Sequence, residues 1–268
     1  MSESAVPLVV VRRRFGETAR RDAWWVQPLL VFAGLSTFVV YATWAAFQNE
    51  HYAYGPYLSP FYSPELFGSP DAWFGPKPSF LPDWLPFSPA LVILPIPAFF
   101  RVTCYYYRGA YYKAFWGDPP SCTVGEPRTT YWGENSFPLI LQNVHRYMLF
   151  LSMAVLAVLY FDVWKALWFA NPQTGVSEFG IGVGTLVLAA NVVLLTGYLF
   201  GCHSLRHIAG GCADELSCAP LGLRAYNCVS ALNRKHMPWA WCSLVAVGFS
   251  DLYVRLCSMG IWSDVRIW

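Results

Sequence analysis

Five long apolar segments limit what this chain can fold into more than any other feature of its sequence. A helix that crosses the hydrocarbon of a bilayer needs about 20 consecutive, mainly apolar residues. Charged residues make up only 13% of the chain, whereas a soluble domain carries about 25%. The sequence therefore predicts an all-α integral membrane protein, a bundle of five transmembrane helices. The predicted spans are residues 24–47, 88–107, 139–167, 179–200 and 239–262.

The basic residues predict how this bundle is oriented. Lysine and arginine are enriched in the cytoplasmic loops of membrane proteins. If the N-terminus is cytoplasmic, 14 of the 18 Lys and Arg residues fall on the inner side. We therefore expect a cytoplasmic N-terminal segment over residues 1–23, a five-helix membrane domain over residues 24–268, and an outer C-terminus. No basic run is long enough to predict a nucleic-acid partner.

The first outer loop, residues 48–87, is rich in proline and in aromatic residues. The prolines disfavour regular structure, and the aromatic residues are atypical of a solvated linker. This composition predicts a cap that lies on the outer membrane surface and has a structural role.

Two features inside the spans carry local predictions. Pro95 and Pro97 each lack a backbone donor, so we expect the second span to be kinked there. Asp251 and Arg255 stand four residues apart in the fifth span, the spacing of an intrahelical ion pair. Pairing lowers the cost of burying both charges, and we interpret the pair as structural. A role in a proton path is the alternative.

The residues that follow the fourth span combine a thiol with two imidazoles. Cys202 is followed by His203 and His207, and positions i and i+4 of a helix lie on one face. Ionisable groups at membrane depth are costly and tend to be functional. These residues predict a metal centre at the inner edge of the membrane.

Further candidate ligands fall on the same predicted side. We expect four ligands from a pool of seven residues: Cys104, Cys122, His145, Cys202, His203, His207 and Cys212. Cysteines in membrane helices are otherwise small hydrophobic residues. We interpret the remaining cysteines in that way: Cys218, Cys228, Cys242 and Cys257.

Three metal centres are compatible with these donors. A b-type haem would use two histidines from different helices, such as His145 with His203 or His207, but it leaves the thiols without a role. A Rieske-type 2Fe–2S cluster uses both residue types, two cysteines on one iron and two histidines on the other. Zinc also accepts these ligands, but it supplies no redox chemistry.

A quinone site needs hydrogen-bond donors at membrane depth, and the chain offers several. The candidates are Arg101, Tyr105, Tyr106, Asn143, Tyr147, Arg206 and His236. Each tyrosine also fits the aromatic belt at the membrane surface, and each arginine fits the excess of positive charge inside.

Five motifs together resemble one family. They are RVTCYYYR (residues 101–108), PPSC (119–122), NVHRY (143–147), CHSLRHIAGG (202–211) and LNRKHM (232–237). This set resembles the membrane-anchor, cytochrome b-like subunit of actinobacterial succinate dehydrogenases, or complex II, that have a single five-helix anchor. The resemblance extends from about Trp24 to the C-terminus.

This resemblance implies a role in respiration. Such an anchor is a multi-pass protein of the bacterial plasma membrane that binds a flavoprotein subunit and an iron–sulfur subunit on the cytoplasmic side. It passes electrons from succinate to a quinone, chiefly menaquinone, and it has no catalytic activity of its own. One branch of the family carries a membrane-embedded Rieske-type cluster in place of haem, and the cysteines beside histidines here fit that branch.

Two alternatives remain open from the sequence. The first is the same anchor with a bis-histidine b-type haem. The second is a transporter whose Cys and His residues bind a regulatory metal. The sequence shows no internal repeat, and it carries few intramembrane charges apart from Asp251 and Arg255, which disfavours transport.

Overall fold

The computed structural model describes most of the chain, which is mainly helical. It describes residues 14–68, 72–76, 88–128, 135–137, 139–171, 173–211, 215 and 219–268. The α-helices are α1 (Val26–Gln48), α2 (Pro89–Ile93), α3 (Pro95–Thr103), α4 (Tyr105–Tyr111), α5 (His145–Lys165), α6 (Val183–Phe200), α7 (His203–Gly210), α8 (Pro220–Asn233) and α9 (His236–Ser258). Two antiparallel hairpins accompany them, β1 (Ala53–Tyr54) with β2 (Tyr57–Leu58), and β3 (Trp168–Ala170) with β4 (Ser177–Phe179).

The helices match the predicted spans. Among the described residues, four stretches are long and apolar enough to cross a membrane: α1, α6, α9, and Leu139–Lys165, which is a 3-10 turn followed by α5. A fifth span results when Pro89–Thr103 and Tyr105–Trp116 are counted together. The predicted all-α membrane fold is therefore confirmed. The fourth span begins at Val183 rather than at residue 179, because Phe179 belongs to β4.

The second span is interrupted at Pro95, where a kink was predicted, and at Cys104, where none was predicted. Helix α2 ends at Ile93 and α3 begins at Pro95, because a proline inside a helix removes a hydrogen bond and clashes with the preceding turn. The expected kink is thus confirmed at Pro95, whereas Pro97 lies in the first turn of α3, where no donor is needed. Helix α3 stops at Thr103, because Cys104 has an extended backbone with φ −65° and ψ 130°.

The internal contacts divide the chain into two compact units. The smaller unit comprises residues 1–36 and 105–140, and the larger one comprises residues 37–104 and 141–268. In the smaller unit, Gly125 pairs with the backbone of Gly16 and Glu17 through two hydrogen bonds of 2.9 Å. In the larger unit, α6 packs against α9 and α5, and α3 packs against α5.

Hydroxyl groups in the segment between α1 and α2 donate hydrogen bonds to carboxylates in other parts of the larger unit. These bonds run from Ser59 to Asp251 of α9, from Ser63 to Asp162 of α5, and from Tyr57 to Asp264 near the C-terminus. Hydrogen bonds to an ionised acceptor are stronger than those between neutral groups. The described part of the predicted cap, residues 48–68, is therefore held in place by side chains from distant parts of the sequence.

The predicted ion pair in the fifth span is confirmed. Arg255 Nε lies 3.3 Å from Asp251 Oδ2, and the two residues are 2% and 0% exposed. Tyr41 donates to the same carboxylate at 2.5 Å. Arg255 also donates to the carbonyl oxygen of Glu50 at 2.9 Å and lies over the ring of Trp44. The buried charges are thus compensated by several partners, which such a pair requires.

Candidate metal centre

Two thiols and two imidazoles meet where four helices of the larger unit end or begin. Cys104 follows α3 and Cys202 lies just after α6, while His145 and His236 are the first residues of α5 and α9. His145 Nε2 lies 3.1 Å from Cys202 Sγ. His236 Nε2 lies 3.5 Å from Cys104 Sγ. We call these four residues the Cys–His centre.

Aromatic rings join the two Cys–His pairs. Phe100 stacks on the imidazole of His145 with ring centroids 4.4 Å apart, and Tyr198 stacks on that of His236 at 5.0 Å. Phe100 and Tyr198 contact each other edge to face at 5.6 Å. One face of each imidazole is therefore covered by an aromatic ring.

The thiols of the Cys–His centre are shielded from solvent. Cys104 is 3% exposed and Cys202 is 1% exposed. Burial raises the pKa of Cys202, which lies between α6 and α7, to about 11. Without a cation this thiol is protonated at neutral pH, and a bound metal would displace its proton, because the thiolate is the ligand.

The hydrogen bonds of Thr103 determine the tautomer of His145. Thr103 Oγ1 donates to the carbonyl oxygen of Phe99 at 2.8 Å and lies 3.0 Å from His145 Nδ1. A hydroxyl has a single hydrogen. With that hydrogen directed at Phe99 O, Oγ1 accepts from an Nδ1–H group of the imidazole, and the lone pair of His145 is on Nε2, the atom that faces Cys202. This is the arrangement that outer-shell partners give to histidines that bind metals.

The donors fit a two-metal cluster better than a single ion. Among the described residues, no three His, Cys, Asp or Glu side chains are arranged to hold one metal ion. The Cys–His centre instead consists of two pairs. A Rieske-type cluster takes two cysteines on one iron and two histidines on the other, so the residue types of the centre fit that group, whereas the pairing of each thiol with an imidazole differs from it.

The remaining predicted ligands are not part of the two Cys–His pairs. His203 and His207 are exposed on α7, with their Nε2 atoms 3.0 Å apart, and His203 is near enough to His145 and His236 to interact with them electrostatically. Cys122 belongs to the smaller unit, where its carbonyl oxygen accepts a hydrogen bond from Arg20. Cys212 lies outside the described residues. The structure therefore brings together three of the seven predicted residues, and it adds His236.

The predicted quinone donors do not form one group. Arg101 lies beside the Cys–His centre, where its guanidinium covers the ring of Tyr198 and donates to Ala240 O and Ser243 Oγ. His236 is part of the centre itself. The others lie in separate places: Asn143, Tyr105 and Tyr147 are exposed, Tyr106 packs on Tyr107, and Arg206 donates to Tyr226.

An apolar cavity of about 320 Å³ adjoins the Cys–His centre in the larger unit. Its polar lining is small, and consists of Thr43, Arg101, Ser152 and Tyr198 among apolar residues that include members of α1, α2, α3, α5, α6 and α9. Ser152 is buried, and its hydroxyl has no hydrogen-bond partner among the described residues. Of the seven predicted quinone donors, Arg101 alone is part of this lining.

The sequence predicted His236 as a quinone donor that precedes the fifth span, on the same predicted side as His145, and the structure places it beside Cys104. Thr103 and Ser152 were not predicted. They carried no signal, because a single hydroxyl in an apolar helix is common. Only the packing of the helices reveals their neighbours.

Comparison with known proteins agrees with the family resemblance. Residues 26–260 match the family model of actinobacterial succinate dehydrogenase subunit SdhC. No curated protein matches the chain. A chain of the solved "Mycobacterium smegmatis Sdh1 complex in the apo form" is 40% identical, with a TM-score of 0.83 and 94% of each chain covered. The predicted family is therefore confirmed: this chain belongs to the SdhC family, the membrane-anchor subunits of actinobacterial succinate dehydrogenase.

Proposed function

We propose that this chain passes electrons from its partner subunits to a quinone, and that the Cys–His centre holds a Rieske-type 2Fe–2S cluster. The observation that carries the proposal is the meeting of two thiols and two imidazoles from four helix ends, at a site where Cys104, His145 and Cys202 are buried and His236 is half-buried. Such a cluster supplies one-electron transfer when it is bound. Cys104 and Cys202 would provide the thiolates, and His145 and His236 would provide the imidazoles.

The alternatives explain less of the site. A bis-histidine haem could use His145 and His236, which come from different helices, but it gives no role to the buried thiols that face them. Zinc accepts thiolate and imidazole ligands, yet it would not connect a dehydrogenase to a quinone, and no three of the described donors are arranged around one ion. Both alternatives remain distinguishable by spectroscopy.

The protein's own residues prepare the site in three ways. Thr103 fixes the tautomer of His145, so that Nε2 is ready to bind without a proton shift. Phe100 and Tyr198 each stack on one of the imidazoles and hold its orientation. The guanidinium of Arg101, held by α9, places a positive charge beside the centre that would favour an added electron.

We assign the quinone to the apolar cavity. A quinone combines a polar head with an isoprenoid tail, and the cavity combines an apolar lining with the polar groups of Arg101, Ser152 and Tyr198. Its volume falls within the usual range for small-molecule sites, roughly 300–1,000 Å³. Ser152 would donate to a carbonyl oxygen of the quinone, which gives its buried hydroxyl a partner. Menaquinone is the quinone that we propose.

The partners follow from the same assignment. The similar solved chain is part of an Sdh1 complex, and this chain offers no described domain outside the membrane that could hold a flavin. We propose that a flavoprotein subunit and an iron–sulfur subunit bind on the cytoplasmic side. Residues 109–128 are the proposed docking surface.

The decisive experiment is spectroscopy on the purified complex. Its visible spectrum and its EPR spectrum are recorded on the same dithionite-reduced sample. A rhombic signal with a low average g value and no haem bands supports the cluster. Haem α and β bands without that signal would support the bis-histidine haem instead of the cluster. If both signals are absent, both redox assignments are contradicted.

Ser152→Ala is expected to weaken quinone binding without disturbing the cluster. A lost hydrogen bond of about 1 kcal/mol corresponds to a roughly fivefold rise in KM for the quinone. Steady-state kinetics with a soluble quinone analogue measure this, and Ser258→Ala, remote in sequence at the end of α9, serves as the control. An unchanged KM would show that the quinone head does not reach Ser152.

Thr103→Val is expected to reduce cluster loading. Valine keeps the shape of threonine but cannot accept from His145 Nδ1, and outer-shell changes of this kind cost about 10–100-fold in metal affinity. The measurement is iron content together with the EPR amplitude per assembled complex. Thr103→Ser, which keeps the hydroxyl, should restore both. Full loading of the valine variant would contradict the positioning role.

A further inference from the structure

The proposed function gives no role to the side chains of His203 and His207. His203 and His207 come one and five residues after Cys202 in the sequence, but in the structure their side chains do not lie on the same side of the chain as its thiol. Cys202 has an extended backbone and is buried, whereas α7 starts at His203 and turns both imidazoles outward, where they are exposed. The question is what two converging surface imidazoles can bind.

The pair already has the spacing of metal ligands. His207 Nε2 lies 3.0 Å from His203 Nε2, and the rings are perpendicular, with centroids 4.5 Å apart. Nitrogen ligands lie about 2.0–2.1 Å from zinc, so two of them at an angle of about 90–110° are about 2.9–3.4 Å apart. An ion could enter between the two nitrogens with only a small adjustment of either ring.

The helix that carries the pair is held in place. Arg206 of α7 donates to the hydroxyl of Tyr226 in α8 at 2.6 Å, and its guanidinium lies over the same ring. Just before α7, the carbonyl oxygen of Gly201 accepts from the side chain of Asn233 at 2.7 Å. A rigid scaffold presents two ligands more precisely than a loop does.

We propose that His203 and His207 form a surface site for a divalent transition metal such as Zn²⁺, Cu²⁺ or Ni²⁺, separate from the Cys–His centre. Imidazole suits these ions, whereas Mg²⁺ and Ca²⁺ prefer oxygen ligands. Two histidines at i and i+4 on one helix are a known arrangement for zinc. Water or a partner subunit would complete the coordination. A bound ion would link the first two turns of α7 and stabilise the segment that follows Cys202.

The test is zinc binding by the intact complex. Equilibrium dialysis against Zn²⁺, with the metal measured by mass spectrometry, compares the native chain with His203→Ala and His207→Ala. Each variant should lose more than about tenfold in affinity for one ion, because even outer-shell changes cost that much. His51→Ala removes an exposed histidine elsewhere and should bind zinc as the native complex does. His207→Gln keeps the size of the side chain and should behave as His207→Ala does.

The EPR signal of the reduced complex separates this proposal from the proposed function. It should be unchanged in the His203 and His207 variants, since neither residue belongs to the proposed ligand set. Zinc binding that is equal in the native chain and in both variants would overturn the surface site. Loss of the EPR signal in either variant would overturn its separation from the Cys–His centre.

Discussion

Cys202→Ala is expected to abolish the signal of the proposed cluster and, with it, quinone reduction by succinate. The thiol is buried and its Sγ lies 3.1 Å from His145 Nε2, so the substitution removes one of the four proposed ligands from inside the site. A methyl group cannot bind iron. The substitution removes a single atom, and we expect the anchor to insert and assemble. EPR and succinate:quinone activity on the same purified complex measure the two losses.

Matched controls are available in the same chain. Cys228 and Cys242 are exposed free cysteines, and their alanine variants should keep both the signal and the activity. A Cys202→Ala complex with a full signal would show that this thiol is not a ligand. Loss of the signal in Cys228→Ala would instead place the cluster near α8.

Asp251→Ala is expected to impair assembly severely. It leaves Arg255, which is 2% exposed, without its carboxylate, and breaking a buried pair in this way costs about 3–5 kcal/mol. It also removes the acceptor of Tyr41 and Ser59. The expected result is a low yield of assembled complex and a lower melting temperature in detergent, measured against the native chain.

The comparison variants make this prediction specific. Glu178→Gln breaks an exposed contact with Arg266 at 4.0 Å, and such surface pairs contribute about 0–1 kcal/mol, so assembly should be normal. Asp251→Asn keeps the shape of the side chain and should cause a milder defect. An Asp251→Asn complex that assembles fully but has lost turnover would contradict the structural role and favour a proton path.

The fold was largely predictable because its main constraint is the length of apolar segments. The bilayer sets that length, so the spans and the interruption at Pro95 follow from sequence alone. The break of the second span at Cys104 could not be predicted, because the extended backbone of this residue has no signature in the surrounding sequence. The N-in orientation and the outer position of the cap stay predictions.

The Cys–His centre was predictable in composition but not in detail. Helical spacing suggested that Cys202, His203 and His207 act together, but the helix breaks at Cys202, and this residue turns inward while the histidines turn outward. Periodicity cannot be carried across such a break. His236 was assigned to the quinone because its neighbours, from α3 and α6, are distant in sequence.

The hydroxyl-to-carboxylate bonds of the cap have a consequence for how the chain is made. Ser59 and Asp251 are 192 residues apart, and Tyr57 and Asp264 are 207 apart. A ribosome therefore releases the donors long before their acceptors exist, and the hydroxyls must remain solvated during the insertion of α5 and α6. The last helix to enter the bilayer completes the structure. A nascent chain cut before α9 should expose this segment to proteases, which gives a cell a way to recognise unfinished copies.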